Sequence, residues 1–215
     1  MVGAIIDIGT NSCRLYIAET NGANNKGFKE IVNLVEITRL GEGVNNSKKL
    51  NKDAIIRTIE VIKKYKKICD DHSVEKVTAY ATSAVRDAVN KDDFISKVER
   101  LGIDFHVITG ETEGKAAFLG ATYEMNGNDK FLVIDIGGGS TEFSYGLPNT
   151  IPEVVSINIG TIRFAEMLRQ MTYEQLEIHI HEMLSKSKLL EKIKQLNEEY
   201  ELIGVAATIT GQVFI

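Results

Sequence analysis

The stretch Ile6–Ser12 runs Ile-Asp-Ile-Gly-Thr-Asn-Ser, and the stretch Ile134–Ser140 repeats it as Ile-Asp-Ile-Gly-Gly-Gly-Ser. In both copies an apolar run precedes the glycine and another follows the serine, which predicts a strand, a glycine turn and a strand. A unit that recurs near the start of each half of a chain indicates two similar domains. We expect one domain over residues 1–125 and a second over residues 126–215, with the two turns lining one cleft.

Segments with strand and helix periodicity alternate along the chain, which predicts an α/β fold. A β-hairpin is expected at Val2–Ile8 and Cys13–Ala18. Asn51 is the expected N-cap of the first helix, whose apolar residues follow at helical spacing. Further strands are predicted at Phe28–Ile37, Val74–Ala81, Asp104–Ile108, Phe131–Ile136, Glu142–Gly146, Val154–Ile159 and Glu201–Val205, and further helices at Lys91–Leu101, Glu111–Tyr123, Thr161–Arg169 and Thr172–Asn197.

The composition is that of an ordinary globular protein, with 215 residues of which 43% are hydrophobic and 26% charged. Only 2 prolines and no glycine period exclude the collagen-like and proline-rich classes. The 25 basic and 30 acidic side chains give a net charge of −5, which argues against general nucleic-acid binding. The sequence has only two cysteines, and it has neither a basic leader nor an apolar run of about 18 residues. We therefore expect a cytoplasmic protein without a membrane anchor.

Each repeated turn places a carboxylate beside a run of exposed backbone N–H groups. Such glycine-rich turns bind phosphate oxygens, because glycine lets the backbone approach a ligand closely. A carboxylate repels phosphate, so Asp7 and Asp135 are expected to hold Mg²⁺, directly or through water, or to orient a water molecule. A hairpin whose aspartate caps its own turn would give the same pattern, although two such copies favour the functional interpretation.

Other polar residues carry weaker signals. Arg86 follows a predicted strand, where loops often carry binding residues, and an arginine there could hold a phosphate with two N–H groups. Glu111 and Glu113 begin a predicted helix, where the helix dipole favours acids that need no further role. His179 and His181 lie two positions apart on a predicted helix and are expected at the surface rather than in a zinc site.

Five stretches carry motifs that are found together in one known family: Ile6–Leu15, Thr38–Val44, Ala81–Ala88, Ile108–Gly114 and Val133–Glu142. In their order and spacing they resemble the exopolyphosphatase and guanosine pentaphosphate phosphohydrolase family of the actin, sugar kinase and Hsp70 superfamily. The resemblance covers essentially the whole chain.

The resemblance implies two ribonuclease H-like lobes with mixed sheets and an active site between them. It also implies Mg²⁺-dependent release of terminal phosphate from polyphosphate or guanosine pentaphosphate. By motif position Glu113 is the general base that activates water, and Glu111 is the acid without a special role. Asp7 and Asp135 correspond to the metal-binding aspartates. The phosphate-binding positions fall on Asn11, Ser12, Arg86, Gly138, Gly139 and Ser140.

Two departures from the family pattern affect these expectations. Family members usually continue beyond the position of Ile215, and they have a glycine-rich segment where this chain has Gly204-Val205-Ala206-Ala207-Thr208. We therefore expect a C-terminally truncated second lobe, and a homodimer is one way in which such a lobe could complete its surface. Two alternatives stay open: a protein that binds polyphosphate or a guanosine alarmone without hydrolysing it, and an ATPase or kinase of the same superfamily.

Overall fold

A computed structural model describes residues 1–20, 27–188, 191 and 199–206. The chain divides into two compact units, residues 1–108 and residues 109–215. Each unit is built on a mixed sheet, one with strand order β3-β2-β1-β4-β5 and the other with order β8-β7-β6-β9. No helix in these described ranges is long and apolar enough to cross a membrane.

The described residues of the first unit form five strands and four helices. The strands are β1 (Val2–Ile8), β2 (Ser12–Thr20), β3 (Phe28–Ile37), β4 (Lys76–Ala81) and β5 (Asp104–Val107). The helices are α1 (Val44–Ser47), α2 (Lys52–Asp71), α3 (Ser83–Arg86) and α4 (Lys91–Glu99). β1 pairs antiparallel with β2 and parallel with β4, so it lies at the centre of the sheet.

Helix α2 covers β1 and β2 and supplies much of the first core. The Asn51 side chain accepts a hydrogen bond from the amide of Asp53, which confirms Asn51 as the N-cap. Ile55, Ile59, Ile62 and Tyr65 are all buried along one face of the helix, as their spacing predicts. The Tyr65 hydroxyl is satisfied by the carbonyl of Cys13 on β2, 3.0 Å away, which ties the helix to the sheet.

The second unit contains α5 (Gly110–Ala121), β6 (Phe131–Ile136), β7 (Thr141–Gly146), β8 (Glu153–Ile157), α6 (Thr161–Met167), α7 (Tyr173–Lys186) and β9 (Glu201–Val205). β6 pairs antiparallel with β7 and parallel with β9. Helix α7 begins at a capping box in which Thr172 and Gln175 each accept from the other's backbone. The end of the predicted helix Thr172–Asn197 lies outside the described residues.

The two units repeat one topology. β1, β2, β3 and β4 have the same order, direction and connections as β6, β7, β8 and β9. The duplicated sequence pattern therefore corresponds to a duplicated arrangement of strands. In the described part of the chain, β5 has no counterpart in the second sheet.

The structure contains two short helices, α1 and α3, that the sequence did not predict, because four residues are too few to show helical periodicity. The division between the units falls before α5 rather than in the polar break at residues 126–129, because α5 packs against β7 and β8.

Candidate active site

The two glycine turns have the same backbone geometry. The amide of Gly9 donates to the carbonyl of Ser12 at 2.9 Å, and the amide of Gly137 donates to the carbonyl of Ser140 at 3.0 Å. A Cβ added at Gly9 or at Gly137 would lie 3.1 Å or 3.2 Å from that same serine oxygen. Glycine is therefore favoured at the first position of both turns by the close approach of the serine carbonyl.

In the first turn, the chain that follows β3 holds the carbonyl groups. The carbonyl of Thr10 accepts from the amide of Gly41 at 2.9 Å. The carbonyl of Asn11 accepts from the amides of Thr38 and Arg39, at 3.0 Å and 2.8 Å. Gly41 allows this contact, since a Cβ there would lie 2.2 Å from Cγ2 of Thr10.

In the second turn, the chain that follows β8 makes the equivalent contacts. The carbonyls of Gly137 and Gly138 accept from the first amides of α6, with 3.0 Å from Thr161 and 2.9 Å from Ile162. The carbonyl of Gly139 accepts from Nε of Arg163 at 2.8 Å. Gly160 also packs closely on its turn, since a Cβ there would lie 2.5 Å from the backbone of Gly138 and Gly139.

Fixing the carbonyls of a turn also fixes the direction of its N–H groups. Within the described ranges, no backbone carbonyl accepts from the amides of Thr10, Asn11, Gly138 or Gly139. Successive N–H groups that are oriented in this way form a concavity suited to an anion. The geometry therefore gives both turns the donors that a phosphate group requires.

The side chains at these turns differ in exposure. Asn11 and Ser12 are half-buried, and Gly138 is half-buried in the second turn. Gly139 and Ser140 are buried, with only 2% of Ser140 exposed. In the second turn, a ligand would therefore meet backbone groups rather than the side chain of Ser140.

The two repeated aspartates lie in different environments. Asp7 is exposed on β1, directly opposite Arg14 on β2. Asp135 is half-buried on β6, and loss of water around it raises the pKa of its carboxyl above the usual value. A charged Asp135 is therefore favoured when a cation lies beside it.

Glu142 is a buried acid that we did not select from the sequence. It lies on β7 directly opposite Asp135 on β6, and only 1% of it is exposed. The available signal was its place at the end of the stretch Val133–Glu142, which carries the resemblance. Oε1 of Glu142 accepts from the hydroxyl of Ser156 at 2.8 Å, and Ser156 is its partner across β8. Asp135, Glu142 and Ser156 thus form one polar row across three neighbouring strands.

Helix α5 packs on this polar row through residues without bulky side chains. Gly110 and Gly114 are buried at its sheet-facing side, followed one turn later by Phe118. A Cβ at Gly110 would lie 2.1 Å from Oγ of Ser156, and one at Gly114 would lie 2.8 Å from Oγ of Ser144. The beginning of α5, with its positive dipole end, therefore contacts the strands that carry the buried acid.

The two acids in the first turn of α5 have different surroundings. Glu111 is exposed and pairs with Lys115 one turn later at 2.6 Å. Glu113 is half-buried and lies immediately before Gly114, the residue that packs against β7. The hydroxyl of Ser144 donates to the carbonyl of Gly114 at 2.9 Å and fixes this part of the helix on the sheet.

Arg86 lies in the first unit at the end of α3, rather than in the loop that its sequence position predicts. Its Nη1 donates to the carbonyl of Ile108 at 2.8 Å, at the carboxyl end of β5. A guanidinium carries five N–H groups, so this bond orients the side chain and is compatible with a bidentate contact to an anion.

Cysteine chemistry does not fit this protein. Cys13 and Cys69 are both buried and unpaired. Burial raises the pKa of the Cys69 thiol to about 11. Burial also raises the pKa of the Cys13 thiol, with the charges of Asp7 and Glu36 adding to the effect. A thiol with a raised pKa is a poor nucleophile near neutral pH.

Comparison with known proteins identifies the family. Residues 17–214 match the family model described as the Ppx/GppA phosphatase family. This chain belongs to the Ppx/GppA phosphatase family. The resemblance that the five sequence stretches carry is confirmed.

The matched Ppx/GppA relatives are longer than this chain. It is 44% identical to a bifunctional 3-dehydroquinate synthase/phosphatase of Fusobacterium nucleatum subsp. nucleatum, over 99% of this chain and 34% of that protein. It is 36% identical to exopolyphosphatase 2 of Mycobacterium tuberculosis, over 76% of this chain and 53% of the relative. It is 30% identical to a guanosine-5′-triphosphate,3′-diphosphate pyrophosphatase of Photobacterium profundum, over 96% of this chain and 42% of the relative. The chain thus spans from about a third to about half of their length.

Solved Ppx/GppA structures have the same fold. The Aquifex aeolicus family member is 35% identical with a TM-score of 0.74, covering 98% of this chain and 67% of that one. An exopolyphosphatase from Cytophaga hutchinsonii is 29% identical with a TM-score of 0.81, covering 97% of this chain and 67% of that one. The expected fold class, an α/β protein with two mixed sheets of the actin-like ATPase type, is confirmed. That the two turns line one cleft stays a prediction.

One departure of this chain from the family's glycine-rich pattern has a structural consequence. Ala206, which follows β9, has a φ of 70°, in the left-handed region. Glycine adopts this backbone conformation without strain, whereas alanine pays for the close approach of its Cβ to the following carbonyl. Ala207, the other departure, lies outside the described residues.

The residues of the second unit fit the magnesium ion that the family implies. Asp135 and Glu142 stand opposite each other on adjacent strands, and like charges in that position repel unless a proton or a cation lies between them. Carboxylate oxygens are the ligands that Mg²⁺ prefers, with phosphate and water completing its octahedron. No cluster of three or more His, Cys, Asp or Glu ligands occurs among the described residues. A magnesium ion here would therefore take most of its ligands from substrate and water.

Proposed function

We propose that this chain carries the catalytic groups of a phosphoanhydride hydrolase that releases terminal phosphate from inorganic polyphosphate or guanosine pentaphosphate. Glu113 is the general base of this reaction. Hydrolysis of a phosphoanhydride needs little covalent chemistry from the protein and depends on neutralised charge and an aligned water. Carboxylates that can hold a cation, backbone N–H groups and an acid that can act as base are the groups that neutralise charge and align a water.

The observation that carries this proposal is the position of Glu113. It is a half-buried acid in the first turn of α5, and the glycines on either side of it pack against Glu142 on β7 and Ser156 on β8. A carboxylate is one of the side chains that act as general bases. Glu111, two residues earlier, is exposed, so Glu113, the more buried of the two acids, is the better candidate.

The phosphate groups are bound by backbone amides in this proposal. Asn11 and Ser12 in the first turn and Gly138, Gly139 and Ser140 in the second supply donors, and Arg86 supplies a positive charge. Asp135 and Glu142 are the residues of the second unit that would hold Mg²⁺, and Asp7 is the corresponding aspartate of the first unit. A bound Mg²⁺ would neutralise phosphate charge. Because most of these donors belong to the backbone, an anion can be bound although the chain's net charge is −5.

The substrate class rests on the relatives. One is an exopolyphosphatase, and another is a guanosine-5′-triphosphate,3′-diphosphate pyrophosphatase. Both activities break a phosphoanhydride bond, so one set of catalytic groups serves either. The two alternatives from the sequence, a non-catalytic binding protein and an ATPase or kinase, are outcomes of the test below.

The test measures phosphate release from polyphosphate, guanosine pentaphosphate and ATP, with and without Mg²⁺. A general base contributes about 10²- to 10⁴-fold to a rate, so Glu113→Gln is expected to lower kcat by at least about 100-fold. Glu111→Gln is the matched control in the same helical turn, and its kcat is expected to stay within about two-fold of the wild type.

Three results would overturn parts of the proposal. Equal kcat values for wild type and Glu113→Gln would refute Glu113 as the base. Tight binding of polyphosphate without any turnover by the wild type would establish the binding protein instead. Turnover confined to ATP would establish an ATPase of the same superfamily.

A further inference from the structure

Ser156 is an exposed residue on the edge strand β8, and its hydroxyl contacts a buried acid. Oγ of Ser156 donates to Oε1 of Glu142 at 2.8 Å. Glu142 itself is only 1% exposed, and in register it stands between Asp135 on one side and Ser156 on the other. Ser156 is thus the neighbour of Glu142 on the side away from Asp135.

A hydrogen bond from a hydroxyl to a carboxylate fixes the direction of the carboxylate. Hydrogen bonds to an ionised acceptor are about twice as strong as neutral ones. Glu142 is almost completely buried, so its Oε1 accepts this hydrogen bond where little water can reach. The hydroxyl of Ser156 thus sets the direction of one oxygen of this carboxylate.

Helix α5 restricts the position of the Ser156 hydroxyl. A Cβ at Gly110 would lie 2.1 Å from Oγ of Ser156, 2.6 Å from its Cβ and 3.3 Å from Oε1 of Glu142. Only a glycine at this position lets the beginning of α5 close over the pair. The hydrogen bond is therefore held between the sheet and the helix that carries Glu113.

We propose that Ser156 is a positioning residue: its hydroxyl fixes the direction of the Glu142 carboxylate, so that Glu142 and Asp135 can hold the magnesium ion. This inference rests on the proposed function and adds a residue that neither the sequence pattern nor the relatives assign. Groups that orient a metal ligand in this way typically change metal affinity or activity by about 10- to 100-fold when removed.

The experiment compares wild type, Ser156→Ala and Ser156→Thr, with Ser144→Ala as the matched control. Ser144 lies on the same sheet face under the same helix, but its hydroxyl donates to the carbonyl of Gly114 and not to a carboxylate. For each variant, kcat, KM and the Mg²⁺ concentration for half-maximal rate are measured. A second readout, independent of turnover, is the rise in melting temperature on addition of Mg²⁺ alone.

We expect Ser156→Ala to raise the half-saturating Mg²⁺ concentration, or to lower kcat, by about 10-fold or more. Its KM for the phosphate substrate should stay within about two-fold, because the phosphate-binding amides are unchanged. The Mg²⁺-dependent rise in melting temperature should shrink. Ser156→Thr keeps the hydroxyl and should restore both readouts. Ser144→Ala should lower the melting temperature without changing the response to Mg²⁺.

The failure of this inference differs from the failure of the proposed function. If the wild type turns over substrate and Ser156→Ala has wild-type kcat, Mg²⁺ dependence and thermal response, the positioning role is wrong and the proposed hydrolase stands. If Ser156→Ala and Ser144→Ala lose melting temperature equally and keep the same response to Mg²⁺, Ser156 is only structural. If the wild type shows no turnover, the proposed function fails, and the thermal response to Mg²⁺ still decides the role of Ser156.

Discussion

Gly114→Ala is expected to destabilise the protein, although the same substitution usually stabilises a helix. In an exposed helix interior, alanine is better than glycine by about 1 kcal/mol. At position 114 the new Cβ would lie 2.6 Å from Cγ1 of Val154, 2.8 Å from Oγ of Ser144 and 3.2 Å from Cβ of Glu142. Carbon atoms pack at about 3.5–4.0 Å, so α5 would have to move away from the sheet by roughly 1 Å.

That movement has two costs. Overpacking of a core contact costs about 1–3 kcal/mol. The hydrogen bond from Ser144 to the carbonyl of Gly114, now 2.9 Å, would be stretched and partly lost, at about 0.5–1.5 kcal/mol. Against the gain in helix propensity, we expect a net loss of about 1–3 kcal/mol in the free energy of unfolding.

The assay is urea unfolding followed by far-ultraviolet circular dichroism, with the midpoint compared at unchanged slope. Gly120→Ala is the control on the same helix, where an added Cβ has no neighbour within 4 Å. Gly120→Ala should stabilise the protein by about 0.5–1 kcal/mol. Stabilisation by Gly114→Ala equal to that by Gly120→Ala would refute the packing of α5 on β7 and β8.

Two further substitutions test the polar row and the second glycine turn. Asp135→Asn should raise the melting temperature at neutral pH, because burial raises the pKa of this carboxyl and its charge therefore destabilises the fold. The difference in melting temperature from the wild type should vanish in acid, grow as the pH rises from the ordinary aspartate pKa to the raised one, and then stay constant. A gain in melting temperature that does not depend on pH would contradict this reasoning. Gly160→Ala places a Cβ 2.5 Å from the backbone of Gly138 and Gly139, which cannot rotate away as a side chain can. The affinity for polyphosphate, measured by calorimetry, should therefore fall by at least about 10-fold while the helix content of the protein stays the same. An unchanged affinity would show that this turn does not bind phosphate.

Much of the fold could be predicted because its signals are local. The strands at Phe28–Ile37, Phe131–Ile136 and Glu201–Val205 have their predicted bounds, since apolar runs between polar turns define them. The N-cap at Asn51 followed from its side chain and the helical spacing after it. The repeated turn was visible because glycine and aspartate have few substitutes at such positions.

The parts that could not be predicted depend on contacts between distant residues. The unit boundary was expected near residue 126, but α5 belongs to the second unit through Gly110, Gly114 and Phe118. A glycine used for close packing has no apolar signature, so its role appears only when the opposite strand is known. Glu142 was missed for the same reason: its burial depends on α5 and on two neighbouring strands.

The two glycine turns show what the duplication has preserved. The first turn contains Thr10 and Asn11 where the second contains Gly138 and Gly139, so the residues that would meet a ligand differ. The supports are the same, since in each unit the chain after the third strand donates to the carbonyls of the turn and places a glycine against it. A pair of N–H donors binds an anion well only when both amides are held in a fixed direction. The hydrogen bonds to the carbonyls of the turn hold them in that direction. The duplication thus keeps the backbone geometry that orients N–H groups, while the aspartates before the turns have acquired different burial, and burial raises the pKa of the Asp135 carboxyl.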